Sequence, residues 1–501
     1  LMTHRPIPQR PAPSTRGALQ FVPALAVAML GAAVLGACNR DSGRGEAVAA
    51  AVDAPSVAGT LTEPMVIRPD SNGVLTATLL ATVKTLAVPT SDSTSVQEVL
   101  RTYQVLEANG VSYADSSKFG YPGPTFRVRR GDSVHITLIN GLPADTAGCM
   151  NYPAAEGSTP TDTLPNCFHG PNSTNIHFHG FHVSPNSPAD NVLLTIAPGD
   201  TFQYAFRIPQ TQSPGTHWYH PHKHGSVALQ VTNGMSGAFI VEGGGLDSLA
   251  NSYGMRDVLV GVQEIDTEPN LMGPAVARAK LVNGQYAPTI VMRPGEVLRM
   301  RLVNENISAT ATYKILFNTP GSTGPQLYDV ARDGVQYAPA NYDTVQSDTS
   351  LFVAPGNRLD MFVRAPQTTG EHLLRAEVVR DSATALRSRK RRENVPVATS
   401  QTLFRVRVVS DSTRYNTTLP GSLPALPSFL ANLDSTVNTP SLQLMFTENG
   451  APGGGEALCR LAELRHLHVG PRREPGRGEV AGERRRQSSA AGGECQHQTC
   501  G

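Results

Sequence analysis

The chain has 501 residues, room for about two to three domains. A formal net charge of +1 creates no field that would draw in nucleic acid or an acidic partner. Aromatic residues make up only 6%, while 46 Gly and 39 Pro punctuate short Val/Thr/Ile runs, so the composition excludes a long-helix architecture and favours short strands with tight turns.

In chain order, basic residues through Arg16 precede the apolar run LQFVPALAVAMLGAAVLGAC, which ends at Cys38. A run so near the start, closing on small residues, reads as a cleaved export signal and not as a membrane-spanning helix. Leu35-Gly36-Ala37-Cys38 resembles the bacterial lipobox, which makes residues 1–38 a lipoprotein-type signal peptide with Cys38 as the lipidated residue. The alternative is an ordinary secretory signal with an incidental Cys. Either way the expected location is exported, periplasmic or at the cell surface, with a lipid anchor to the membrane under the first reading. Residues 39–62 read as a flexible tether.

An internal repeat sets the architecture. PTFRVRRGDSVHITLIN (124–140) aligns without gaps to PTIVMRPGEVLRMRLVN (288–304), and IAPGDTFQYAFRIP (196–209) aligns to VAPGNRLDMFVRAP (353–366) in the same order. Apolar residues alternate within the blocks, as in Val134, Ile136, Leu138 and Leu298, Met300, Leu302. That period of two turns one strand face into a core. The expectation is an all-β fold of two tandem sandwich or barrel domains, 63–244 and 252–410. Between the first copy's two blocks, Cys149 and Cys167 bracket a Pro/Gly/Thr-rich excursion. A disulfide there would stabilise by about 3 kcal/mol on the loop-entropy model. Two free thiols are the other possibility, disfavoured outside the cytoplasm.

Two runs hold half of the fourteen histidines: NIHFHGFHVSP with His177, His179 and His182, and GTHWYHPHKHG with His217, His220, His222 and His224. Extending the second alignment sets GTHWYHPH against GEHLLRAE (370–377), so His217 meets His372 while His220 meets Arg375 and His222 meets Glu377. His217 is therefore scaffold, because its counterpart persists where no cluster does. Residues i and i+2 of a strand share a side, so His177 and His179 face together with Phe178 turned to the core. His220 and His222 do likewise, with Pro221 marking a strand end or edge. Two such pairs offer four imidazoles to one volume, a donor set for copper, zinc, iron or nickel. Further on, LRSRKRREN (386–394) reads as a solvated loop, and 411–450 as a linker and the start of an incomplete third domain. From 451 to 501 the composition shifts to Arg without Lys and loses its aromatics, which reads as a disordered or out-of-frame tail. His466, His468 and CQHQTC sit in that tail without a strand framework, so their ligand-like look is coincidental.

PGPTFRVRRGDSVHITLIN, IHFHGFHVSP and PGTHWYHPHKHG together resemble the first cupredoxin domain of the multicopper oxidases, the laccase-like enzymes, and the resemblance runs through both repeats. It implies tandem cupredoxin-like Greek-key domains and half of the ligands of a copper cluster that reduces dioxygen to water. By position, His177 would serve a type 2 copper, His179 and His220 one type 3 copper, and His222 the other. Asp190, eleven residues after His179, falls where the family has an acidic residue that orients ligands or delivers protons. His182 and His224 fall outside the family's ligand positions.

The resemblance also fails at a definite point. The family's type 1 copper needs a Cys thiolate with two histidines, and no HCH or HPxHxHxH run is found. The third domain is read as lost or frameshifted. The expected function is thus a multicopper oxidase-like oxidoreductase acting on phenols, aromatic amines or metal ions with dioxygen as acceptor, inactive as this chain alone. The alternative is a periplasmic copper-binding or copper-tolerance protein without turnover. Pro221, where a type 1 Cys would stand, argues against a two-domain copper nitrite reductase. The cupredoxin-like framework argues against a zinc hydrolase.

Overall fold

In the computed structural model the described residues are 59–113, 119–145, 170–265, 280–307, 313–317, 324–344, 350–378, 401–430, 447–450 and 457–460. Cys38, Cys149, Cys167, the 386–394 run and most of the tail beyond 450 lie outside them.

Apart from a two-stranded sheet of Thr447–Gly450 and Ala457–Arg460, whose second strand falls in the stretch expected to be a structureless tail, the described chain is built of β-sheets in two facing pairs. In the first pair, one sheet runs in the order Val111–Ser112, Ser95–Ala108, Val74–Pro89, Ser133–Asn140, Thr201–Arg207. The other runs Val66–Ile67, Thr125–Arg129, Gly237–Glu242, Gly215–His220, His177–His179. The alternation read in the sequence is what closes this sandwich: Leu75, Leu79, Val134, Ile136 and Leu138 from one sheet meet Phe126, Phe178, Tyr219 and Phe239 from the other in a single core. In the second pair, one sheet runs Gln285–Tyr286, Lys280–Val282, Asp257–Glu264, Val297–Asn304, Arg358–Arg364, Gln326–Arg332, Val335–Gln336, and the other runs Thr289–Met292, Gln401–Val408, Gly370–Val378, Tyr313–Phe317, Ser350–Val353. No strand is shared between the pairs among the described residues.

The repeat recurs in atomic detail. Asn140 donates its backbone N–H to Asp200 O (2.9 Å) and accepts from Gly199 (2.7 Å); Asn304 does the same with Asn357 (3.0 Å) and Gly356 (2.8 Å). Their side-chain amides donate to aligned carbonyls, Ile196 (2.8 Å) and Val353 (3.3 Å). Both Gly-acid turns place glycine at positive φ, 91° at Gly131 and 73° at Gly295, a region closed to most L-residues. In each turn the acidic side chain accepts from the backbone three residues earlier: Asp132 from Arg129 at 2.6 Å and Glu296 from Arg293 at 2.8 Å.

The helix Gly245–Ser252 joins the two pairs. Its Leu246 and Ala250 pack on Val297, Val330 and Phe362, and its Asp247 accepts from the Gly243 and Gly244 amides at the helix start. The pairs meet through Trp218, Ala238 and Ile240 on one side and Leu259 and Val303 on the other. Beside that patch lies a buried ionic net. Asp360 accepts from Arg299 (2.6 Å) and from the Thr216 hydroxyl (2.5 Å), and Arg301 reaches Asp257 and Asp247.

The tether expected through residue 62 ends earlier. Thr60 bridges Thr289, Leu61 donates to Thr289 O at 2.8 Å, and Thr62 donates to Gln285 Oε1 at 2.8 Å. These polar backbone groups find partners on the second sheet pair, so 59–62 behave as part of it. Residues 411–430 also lie along the second pair, with Asn416 O accepting from Val297 and Pro424 O from Gln336.

Candidate metal centre

His177–His179 is an edge strand, paired antiparallel with Gly215–His220 so that His177 faces His220, Phe178 faces Tyr219 and His179 faces Trp218. Directly opposed residues share a face. Phe178 and Tyr219, both fully buried, therefore lock the inner face into the first core. Burying Phe178 alone contributes about 2–3 kcal/mol. The same locking turns His177, His179, Trp218 and His220 to the other face.

There the ring nitrogens of His177, His179 and His220 fall within 4.8 Å of one another. His179 Nδ1 and His220 Nε2 are 3.2 Å apart. His222 joins at the rim: its ring centroid is 5.1 Å from that of His177 and 5.9 Å from that of His220. It is not on a strand, because the strand stops at His220. This refines the expectation that His220 and His222 share a strand face, and agrees with the strand end that Pro221 marks.

Two of the rings, His220 and His177, are held by partners that fix their protons. The His220 Nδ1–H donates to Pro221 O at 2.8 Å, so Nε2 keeps its lone pair. His177 Nδ1 lies 3.0 and 2.9 Å from the two Asp190 oxygens, which can only accept when ionised, leaving the lone pair on Nε2. Asp190 is itself buried and accepts from the Phe178 amide at 3.0 Å. Trp218 stacks on His220 at 4.2 Å and 30°.

Burial and mutual repulsion favour the uncharged form of His179, His220 and His222. Burial first, then the Arg358 guanidinium of the second pair, hold His179 down to about 3. Burial, followed by His177, pushes His220 well below its ordinary value, and burial lowers the more exposed His222. Neutral nitrogen donors backed by a carboxylate fit copper or another late first-row metal and do not fit calcium or magnesium, which take oxygen donors.

The other histidines stand apart. His217 is buried, bonded through Nε2 to Ser213 O at 3.0 Å, packed on Phe181 and close to Gly334 of the second pair. That is the scaffold role the repeat assigns it. His182 and His224 are exposed and outside the cluster. In the second pair, the ladder position of His177 and His220 is taken by Leu316 opposite Arg375.

Four contributors escaped the sequence reading. Asn175, fully buried, accepts from the His222 amide at 2.7 Å. Its parity with His177 and His179 was the available signal. Trp218 shares parity with His220 in the same way. Arg358 and Gly356 come from the second pair: a side chain added at Gly356 would lie 3.6 Å from the His179 ring. No local motif announces them.

A model of the multicopper oxidase family matches residues 154–245. The chain is 25% identical over 273 residues to the multicopper oxidase mco of Staphylococcus haemolyticus (strain JCSC1435), covering 51% of this chain and 50% of that one. It is 25% identical over 280 residues to laccase-3 of Botryotinia fuckeliana, covering 51% of each. The chain spans about half the length of these curated relatives. Among solved structures, that of the McoA multicopper oxidase from the hyperthermophile Aquifex aeolicus superposes with a TM-score of 0.55 at 18% identity, covering 78% of this chain and 72% of that one. This last likeness shows the fold, a cupredoxin-like arrangement of β-sandwiches.

Proposed function

We propose that this chain is a member of the multicopper oxidase family, as the family-model match over residues 154–245 and the curated relatives support, and that its four facing histidines are copper ligands of a laccase-like oxidoreductase. His177 is assigned to a type 2 copper, His179 and His220 to one type 3 copper and His222 to the other. The observation that carries this reading is the convergence of His177, His179 and His220 across two paired strands, with Asp190 holding the Nδ1 of His177. Copper, when bound, supplies the one-electron steps that link a reducing substrate to dioxygen. The protein's own part is to keep His179, His220 and His222 neutral, fix the tautomers of His177 and His220, and exclude water behind them with Trp218. Asp190 is the group placed to orient His177 and to hold a proton beside it. The substrate class proposed is phenolic or aromatic compounds, or oxidisable metal ions, with dioxygen reduced to water.

These ligands are one half of such a cluster. Between residues 63 and 410 the only cysteines are Cys149 and Cys167, and neither adjoins a histidine run. A thiolate-ligated copper that accepts electrons from substrate therefore has no ligand set in that region, and the chain as given is proposed to bind copper without sustained turnover. That places it close to the second reading, a copper-binding protein that buffers or hands over the metal, which the ready-made half-set also favours. Copper titration of the full chain tests the shared core: saturable binding without intense blue absorption is expected, abolished by His177→Ala. Oxygen consumption with a phenolic dye then separates the readings, since turnover would refute the inactivity proposed for this chain. Two sandwich domains at 63–244 and 252–410, export, lipid attachment at Cys38 and a Cys149–Cys167 disulfide complete the proposal. Mass spectrometry of the mature, non-reduced protein tests the last three.

A further inference from the structure

The ladder that positions His177, His179 and His220 stops at His220. Pro221 has no N–H, so no strand bond carries the order forward to His222. The bond that takes over is from the His222 amide to Asn175 Oδ1, at 2.7 Å. The same side-chain amide donates to Val192 O at 3.0 Å and to Leu194 O at 2.9 Å. Val192 and Leu194 follow Asp190, the carboxylate that fixes His177. Asn175 itself lies two residues before His177, at a fully buried position from which its side chain makes three hydrogen bonds. One amide thus ties together the lead-in to the first ligand strand, the loop after Asp190 and the segment of His222.

Resting on the copper reading above, we infer that Asn175 is a positioning residue of the metal centre: it holds His222 at the distance from His177 at which both can serve the same cluster. It touches no metal and no reacting atom. Its action is exerted through the His222 backbone, which sets where the imidazole can reach. Outer partners of this kind typically change metal affinity by about 10–100-fold when removed, and the lower end is expected here because one ligand of four is affected.

The test uses the full 501-residue chain and copper itself, titrated against a competing chelator, with the electron paramagnetic resonance spectrum of the bound Cu(II) and hydrogen exchange of the metal-free protein. Asn175→Ala is expected to speed exchange at the His222 amide, to lower copper affinity about tenfold, and to give the spectrum of His222→Ala. In the His222→Ala background, Asn175→Ala should change affinity no further, because the two act on one ligand. Asn175→Ser, which supplies a hydroxyl able to accept a hydrogen bond and removes less volume, should fall between Ala and the parent.

Wild-type affinity and spectrum in Asn175→Ala, even with a lowered melting temperature, would overturn the positioning role and leave only a structural one. So would an additive loss in the double variant, or failure of both single variants to fold. Copper binding that is absent, or unmoved by His177→Ala, would instead remove the underlying reading of the site and this inference with it.

Discussion

Replacing Asp190 by asparagine separates its two jobs. The carboxylate accepts from the Phe178 amide at 3.0 Å and holds His177 Nδ1 at 3.0 and 2.9 Å. In Asp190→Asn the Oδ1 acceptor for Phe178 remains, but the second oxygen becomes an NH2 donor facing His177. A donor there favours a lone pair on Nδ1 against the retained Oδ1 at 3.0 Å, which shifts the ring proton toward Nε2, the nitrogen assigned to copper. The fold should lose little, while copper affinity falls by about 10–100-fold, or about 1.4–2.7 kcal/mol. Asp190→Ala frees the tautomer but strips a buried N–H of its acceptor, which costs about 1–3 kcal/mol of stability. Competitive copper titration and urea unfolding of the metal-free chain read the two effects apart. Wild-type copper affinity in Asp190→Asn, or greater instability in Asn than in Ala, would refute the reasoning.

Asp360→Ala removes a buried acceptor shared by Arg299 and Thr216. A loss of about 3 kcal/mol is expected from breaking a buried pair, seen as a lower urea midpoint, and a loss below about 1 kcal/mol would mean that Asp247 and Asp257 suffice for both guanidiniums. Gly334→Ala should cost more than about 2 kcal/mol, because the residue sits at φ 81° and its new methyl would collide with the boxed-in His217 ring; thermal unfolding measures it. Burial raises the Glu305 carboxyl to about 7, with Ser236 and Gln263 bonded to it. The folded state then holds a proton that the unfolded chain releases near its ordinary value of 4.5, so this contribution to stability is full below 4.5 and is lost as pH rises through about 7. Glu305→Gln should remove that loss and gain stability over the parent at pH ~8 relative to pH ~4, by urea titration. Burial holds His217 down to about 4, which acts in the opposite sense: its contribution is present above the ordinary histidine value of 6.5 and lost as pH falls through about 4. His217→Gln should accordingly flatten the acid limb of the same curve.

The fold was legible because duplication doubles the signal. Two gapless blocks with alternating Val, Ile, Leu and Met identify the strands, and the Gly-acid turns at Gly131 and Gly295 are bonded alike in both copies. The cluster was legible for the same reason in reverse: the histidines stand out where Arg375 and Leu316 replace them. What stayed hidden depends on contacts far apart in sequence. Nothing near position 358 announces that its guanidinium lies beside the turn at Gly180. The pinning of residues 59–62 to Thr289 and Gln285 joins segments more than two hundred positions apart, beyond any local pattern. His222 was found by spacing, yet its support by Asn175 follows only once the end of the strand at His220 is known.

The Leu316–Arg375 pair has a consequence for how such a site can arise and vanish. One sandwich carries imidazoles at that ladder position and its sibling carries an aliphatic chain and a guanidinium, yet Phe178 and Phe317 occupy the matching inward position in each. The core closes from the other side of the strand, so ligand chemistry is a passenger on a frame that assembles without it. Metal loss should therefore leave a folded, reloadable protein, unlike small domains that unfold when stripped. Over longer times the outward face is free to drift, acquiring or discarding a cofactor a residue at a time while the architecture beneath is inherited intact.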